Sequence, residues 1–393
     1  MFDTSFLLFY GLILVAFLLS VLLSWLILPR ILVVAFRKRL FDLPDARKIH
    51  TAAIPRLGGL SFVPTIFFTL AFTLGLRYLW GYPIATPVAG YIIPEFCFLV
   101  CGLTLLYLSG IKDDLVGLRY RSKFLVQAIA ALFFPLSGLW INNLYGLFGI
   151  YALSPWLGIP FTLFIVVFLT NAINLIDGID GLASGLSSVA LAVLGAHFLY
   201  AGLWLYATLA FSTLGVLLPF FYYNVFGQAE RCKKIFMGDT GSLTLGYILS
   251  FLAIRYSAYN PELAPFADKA IVVAFATLIV PVFDVIRVIM VRLRTRQPLF
   301  SPDKNHIHHK FLAMGCSPRR AMLSIVLMAC LFSGITILLA PYIDATLLLA
   351  ADIALWIGLN LWFDRIRDRK KKRDAQAGKR PDTDMPDDCS DSI

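Results

Sequence analysis

The sequence predicts an all-α, polytopic membrane protein, and three observations carry that expectation. Of the 393 residues, 59% are hydrophobic and only 15% are charged, where soluble domains carry roughly 45–50% and about 25%. The mean hydropathy is +0.79, and a soluble fold of this size has no way to cover so much apolar surface. The apolar residues also gather in runs near the roughly 20 residues that cross a bilayer, and the basic residues gather between alternate runs.

The runs fall at about 5–29, 59–80, 93–111, 124–142, 156–176, 182–200, 203–225, 241–258, 268–290, 321–341 and 345–363, which makes eleven expected crossings. The first begins MFDTSFLLFY without a basic segment and continues to Pro29, as a retained span does and a cleaved leader does not. The fourth is followed by a Gly- and Asn-containing loop. Pro281 interrupts the ninth, which predicts a kink. Asp352 is the single acidic residue well inside the eleventh. No repeat of 20–50 residues is visible, so a solenoid is not indicated.

Orientation follows from Lys and Arg. With the N-terminus outside, the inner segments 30–58, 112–123, 226–240, 287–320 and the stretch after Phe363 hold seven, four, three, eight and nine of them. Of the 34 in the chain only Arg77, Arg255 and Lys269 fall elsewhere. The C-terminus is therefore expected on the cytoplasmic side, and the net charge of +10 belongs to one membrane face rather than to a nucleic-acid surface. Residues 1–364 read as one integral-membrane domain and 365–393 as a charged, disordered tail. Its basic run RIRDRKKKRDAQAGKR suits a topology anchor or contact with anionic headgroups. The six cysteines match no zinc or disulfide spacing; Cys97 and Cys101 are expected as small packed hydrophobes.

The acidic residues outside the tail gather at the inner face: Asp42, Asp45, Asp113, Asp114, Asp177, Asp180, Asp239, Asp284 and Asp303. A transporter more often keeps such groups at mid-membrane, so chemistry at the inner surface is favoured. Adjacent Asp113 and Asp114 repel unless a cation sits near them, and suit Mg²⁺ beside phosphates. Asn171, Asn174, Asp177 and Asp180 follow at steps of three. Each step drifts by about 60° on a straight helix, so Gly178, Gly181 and Gly185 predict a break that opens into a polar loop, with helix capping as the simpler role. Asp239 sits between Gly238 and Thr240, where it either caps the eighth span or faces a phosphate-bound metal. In SPDKNHIHHK, residues Lys304, His306, His308, His309 and Lys310 beside Asp303 fit phosphate binding better than zinc. Asp284 and Arg287, at i and i+3, read as an ion pair anchoring a helix end.

The motifs DLPDARKIHTAAIPRLGGLSF, GIKDDL, NxxNLIDGIDGLA, FMGDTGSLxLG and SPDKNHIHHK, in this order, resemble those of the polyprenyl-phosphate N-acetylhexosamine-1-phosphate transferases, glycosyltransferase family 4. The resemblance spans roughly residues 30–320 and includes the eleven-helix topology. Within the superfamily the chain is similar to bacterial undecaprenyl-phosphate GlcNAc-1-phosphate transferases of the cytoplasmic (inner) membrane, which begin lipopolysaccharide, common-antigen or teichoic-acid synthesis. The neighbouring branch is the phospho-MurNAc-pentapeptide transferases, and from another class a transporter of an anionic metabolite stands as the rival.

The resemblance implies transfer of a sugar-1-phosphate from a UDP-sugar to undecaprenyl phosphate, with release of UMP at the cytoplasmic face. It implies Mg²⁺, with Mn²⁺ as the alternative, held by Asp239 with support from Asp114. Asp113 becomes the base or the orienter of the lipid phosphate, with His308 also catalytic. Asn174, Asp177 and Asp180 line the nucleotide pocket, Lys123, His306, His308 and His309 hold the diphosphate and sugar, and Asn171 and Lys304 also bind substrate. The lipid tail is expected beside the kinked ninth span, and a homodimer is the assembly the resemblance admits.

Overall fold

The computed structural model describes residues 4–41, 54–263, 269–298 and 305–376. Its helices are α1 (Thr4–Lys38), α2 (Phe62–Leu79), α3 (Thr86–Val116), α4 (Tyr120–Leu136), α5 (Pro155–Ile176), α6 (Leu182–Tyr200), α7 (Trp204–Phe221), α8 (Gly238–Ser257), α9 (Ala270–Ala276), α10 (Ile279–Thr295), α11 (Ile307–Ala313), α12 (Pro318–Leu339) and α13 (Ala345–Gln376). Among the described residues the only extended pairing is an isolated antiparallel bridge between Asn143 and Ala152. Helix is the expected answer in lipid, because each spanning segment must satisfy its own backbone groups.

Each of the eleven apolar runs is helical, but not all are long and apolar enough to cross a bilayer alone. Eight helices are, among the described residues, and the bent pair α9–α10 makes a ninth if counted as one span. α4 stops at Leu136 rather than continuing to 142, and Gly138 follows with φ +84°. The ninth run bends by 79° between α9 and α10. The break falls at Thr277–Leu278, one turn before Pro281, because a proline ring clashes with the carbonyl four residues earlier.

α8 falls short on composition for a different reason: it lies inside the bundle. Every residue from Thr240 to Arg255 is buried, packed between α3, α5, α6 and α9. Its small residues let neighbouring backbones approach closely. Its hydroxyls bond back to the preceding turn, as Ser242 does to the Gly238 carbonyl (3.0 Å), Thr244 to Thr240 (2.7 Å) and Ser250 to Gly246 (2.7 Å). A polar helix thus enters an apolar core with its hydroxyl groups satisfied.

Two expectations need correction. The boundary at 364/365 falls inside one continuous helix, so the first part of the basic stretch, to Gln376, is ordered extension of α13 rather than disordered tail; residues 377–393 lie outside the described set. Cys97 and Cys101 are exposed on α3 rather than packed inside.

A buried polar clasp that the sequence reading passed over ties the far end of α8. The Glu95 carboxylate of α3 accepts from the Tyr206 hydroxyl of α7 (2.7 Å) and from Arg255 Nη1 (3.0 Å), and Arg255 Nη2 donates to the Ala258 carbonyl (2.8 Å). Glu95 is 3% exposed and Arg255 5%. Removing one partner of such a pair leaves an uncompensated buried charge, at a cost of about 3–5 kcal/mol. Glu95→Ala is therefore expected to lower the thermal unfolding midpoint in detergent markedly. Glu95→Ala combined with Arg255→Met is expected to recover most of it, and a single variant as stable as the parent contradicts the clasp.

Candidate active site

The site begins with two loops zipped together. The Phe236 N–H donates to the Pro55 carbonyl (2.8 Å), the Gly58 N–H to Phe236 (2.9 Å) and the Gly59 N–H to Met237 (2.9 Å). This pairing brings the IPRLGG and FMGD motifs side by side at the start of α8. Gly238 then takes φ +74°, and a Cβ there would meet the Asp114 carboxylate at 2.7 Å. Glycine is required by conformation and by space.

Asp114 explains that tight fit. Its Oδ1 accepts from the Asp239 N–H (2.7 Å), and its Oδ2 accepts from the Thr240 N–H (2.9 Å) and hydroxyl (2.6 Å). A carboxylate from α3 thus caps the free amides of α8, where the helix dipole also favours negative charge. The resemblance has Asp114 support a metal; here both its oxygens accept hydrogen bonds from the start of α8. Asp113 faces other donors. It accepts from the Leu118 N–H (2.7 Å) and pairs with Lys123 of α4 (3.1 Å). The adjacent carboxylates therefore avoid mutual repulsion by serving different partners.

Lys123 also pairs with Asp239, so one ammonium stands between Asp113 and Asp239. The Asn174 amide of α5 donates to Asp239 Oδ1 and to the Ser242 hydroxyl, both at 2.7 Å. Side chains from α3, α4, α5 and α8 therefore meet at one point. Asn171, one turn back from Asn174, does not join them. Its amide exchanges hydrogen bonds with Gln127 of α4 (2.5 and 3.3 Å) and locks α4 to α5.

The expected break after Asn174 is present. α5 ends at Ile176, Asp177 and Asp180 lie in the turn, and α6 starts at Leu182. Asp180 pairs with Lys234 (2.5 Å). Asn224, in a π-helical turn over Tyr222–Phe226, accepts from the Gly181 N–H (2.7 Å) and donates to the Ile235 carbonyl (2.9 Å). It joins the two Asp-bearing loops. Sequence reasoning missed Asn224, Gln127 and Lys234. A polar residue inside an apolar run, or four positions from Lys123, was the available signal.

The histidines approach from the other side. His308 is 2% exposed and lies directly over Gly178, where any side chain would strike its ring. Burial, with the charges of His309 and His306, holds its imidazole down at about 3, so it is neutral at physiological pH and not a cation for phosphate. Its Nδ1 is buried with no hydrogen-bond partner among the described residues. His309 lies beside it, ring centroids 4.2 Å apart and the planes tilted by 42°. His306 is bound instead to Asp284 (Nδ1 to Oδ2, 2.9 Å). Asp284 also accepts from the Ile307 N–H (3.0 Å) and from Arg287 (2.8 Å). The expected ion pair exists, and its carboxylate does more than anchor a helix end, since it orients the histidine segment. Lys304, Asp303, Asp42, Asp45 and His50 lie outside the described residues.

Among the described residues no three His, Cys, Asp or Glu side chains converge on one metal position. Two carboxylates directed at one cation, Asp113 and Asp239 about Lys123, nevertheless form the hard-oxygen set that Mg²⁺ takes when phosphates supply its remaining ligands. The surplus of negative charge also shows at Asp177. Its carboxyl is pushed from 3.8 up to about 7, first by burial and then by Asp239, Asp180 and Asp114, with Arg56 opposing. The folded chain thus binds this proton more tightly than the unfolded chain. The associated stability is present below about pH 4 and is lost as pH rises through about 7. The thermal midpoint of the ligand-free protein is expected to fall between about pH 5 and pH 8, and Asp177→Asn to flatten that part of the profile; a variant with the parental slope contradicts the assignment.

The sequence signature of the Glycosyl transferase family 4 matches residues 96–257, a span that contains Asp113, Asp114, Lys123, Asn174 and Asp239. A Bacillus subtilis (strain 168) protein named probable undecaprenyl-phosphate N-acetylglucosaminyl 1-phosphate transferase is 34% identical over 357 residues, covering 89% of this chain and 88% of its own. Proteins of Salmonella typhi and Escherichia coli (strain K12), both named undecaprenyl-phosphate alpha-N-acetylglucosaminyl 1-phosphate transferase, are each 31% identical. They cover 77% and 78% of this chain, and the same shares of their own lengths. With its helical membrane bundle and this polar centre, the chain belongs to glycosyl transferase family 4, the polyprenyl-phosphate N-acetylhexosamine-1-phosphate transferase superfamily.

Proposed function

We propose that the protein transfers GlcNAc-1-phosphate from UDP-GlcNAc to undecaprenyl phosphate, releasing UMP, as the first membrane step of a cell-surface polysaccharide. The observation that carries this reading is the meeting of Asp113, Lys123, Asn174 and Asp239 from four helices, with His308 over the Asp177–Gly178 turn. The names of the relatives supply the sugar and the lipid. With eleven crossings and the N-terminus outside, as the sequence leads one to expect, this centre would lie at the cytoplasmic face of the inner membrane, beside the basic segments that favour that side.

The reaction needs no strong base, because the lipid phosphate is already anionic near neutral pH. One of its oxygens attacks the donor's β-phosphorus, and the bond from that phosphorus to UMP breaks. Charge on the diphosphate is what the site must offset. Mg²⁺, held by Asp239 with Asp113, would supply that offset as a Lewis acid. Lys123 adds a fixed positive charge between the same carboxylates. Neutral His308 presents a ring N–H donor without adding charge, and Asn174, Asp177 and Asp180 line the nucleotide side. Asp114 keeps Asp239 in place through the α8 amides. The acceptor's prenyl chain is placed by this reading beside the bend between α9 and α10.

Purified protein with undecaprenyl phosphate and Mg²⁺ is expected to release UMP from UDP-GlcNAc in preference to UDP-GalNAc or UDP-MurNAc-pentapeptide. Chelation is expected to abolish release and added Mg²⁺ to restore it. Asp239→Asn is expected to reduce turnover on the order of 10²-fold or more with little change in the unfolding midpoint. No UMP from any of the three donors overturns the reading, and a different preferred donor overturns the sugar.

A further inference from the structure

α11 has only seven residues, well below the length at which an isolated helix is stable in water. Its orientation is imposed by what it touches. On one side Asp284 of α10 binds His306 and the Ile307 N–H. On the other side stands α13, which the family signature does not reach. Lys310 is 6% exposed; its ammonium donates to Asn360 Oδ1 (3.0 Å) and to Asp364 Oδ2 (3.1 Å), and forms an ion pair with Asp364 Oδ1 at 3.0 Å. The Phe311 and Phe363 rings pack with centroids 4.9 Å apart. Arg367, one turn further, braces Asp364 (3.1 Å), and Lys370 lies across Gly315 just beyond α11.

Helix geometry gives these contacts a consequence. Residues two apart on an α-helix point about 200° apart. Lys310 facing α13 therefore turns His308 to the opposite side of α11, where it meets Gly178. Whatever fixes Lys310 fixes how closely His308 sits against the Asp177 turn. We propose that Asn360 and Asp364 are positioning residues for the transfer reaction. By holding Lys310 they seat His308 and His309, and the inner end of α13 belongs to the catalytic unit. This rests on the transferase reading above.

The test uses the full chain, with parental UMP release measured first; an inactive parent counts against the transferase reading and leaves the clamp to be judged by histidine reactivity. Asp364→Ala is expected to lower kcat by about 10- to 100-fold, the order expected for misplacement of about 1 Å, with KM for undecaprenyl phosphate unchanged. Asp364→Glu is expected to retain most activity. In the parent, His308 is expected to resist diethylpyrocarbonate, read by peptide mass mapping; in Asp364→Ala it is expected to react. Should Asp364→Ala fail to fold, Lys310→Met with Asp364→Leu removes both charges together and keeps the contact apolar. That pair is expected to melt like the parent yet keep the low kcat and the reactive His308. Parental kcat and a protected His308 in Asp364→Ala or in the double variant overturn the proposal.

Discussion

The site depends on one carboxylate gripping the end of another helix. Asp114 takes the first amides of α8 and the Thr240 hydroxyl, so the position of Asp239 is set by α3 rather than by α8 alone. Free amides at a helix start are costly to bury unpaired, and α8 starts inside the protein. A charged acceptor meets that need with short, strong hydrogen bonds. The same grip explains Gly238, whose missing side chain leaves room for the carboxylate, and the paired loops that deliver the chain to it.

α3 then holds α8 at both ends, by Asp114 at its N-terminal end and by Glu95 on Arg255 at its C-terminal end. Between them α8 is a buried rod of small and hydroxyl-bearing residues whose polar groups close on their own backbone. Such a helix is ill suited to face lipid and well suited to be surrounded. The exposed large hydrophobic side chains lie instead on helices around it, among them α1, α3, α4, α5, α12 and α13. The arrangement separates two demands. Outer helices satisfy the bilayer, and the inner one carries charge to the membrane surface without exposing it to hydrocarbon.

Around Asp239 the charges are interleaved. Lys123 sits between Asp113 and Asp239, Lys234 beside Asp180, and Arg287 beside Asp284. Asp177 carries the unbalanced share and binds its proton unusually tightly. A centre of this kind is pre-set to accept further positive charge together with an anionic substrate. The neutral, buried His308 is matched to donate or accept a hydrogen bond at that point, not to provide charge.

Much of this was legible along the chain. Hydropathy located the apolar helices, eight of which among the described residues, or nine with the bent pair, are long and apolar enough to cross a bilayer. The glycines after Asn174 foretold the turn that carries Asp177 and Asp180. Pro281 announced a bend, although the clash it creates displaces the break to Thr277–Leu278. What sequence could not decide was which side chain each polar residue would meet. Asp113 and Asp114 are neighbours with different partners, Asn171 and Asn174 look alike and separate, and Asp284 reaches a histidine that lies far along the chain. The basic stretch after Phe363 resembles a solvated tail by composition, yet it starts as helix because Asp364 and Asn360 have Lys310 to hold. Composition and spacing follow from each residue's own solvation and are local; partnership follows from how helices pack, and only the folded bundle sets it.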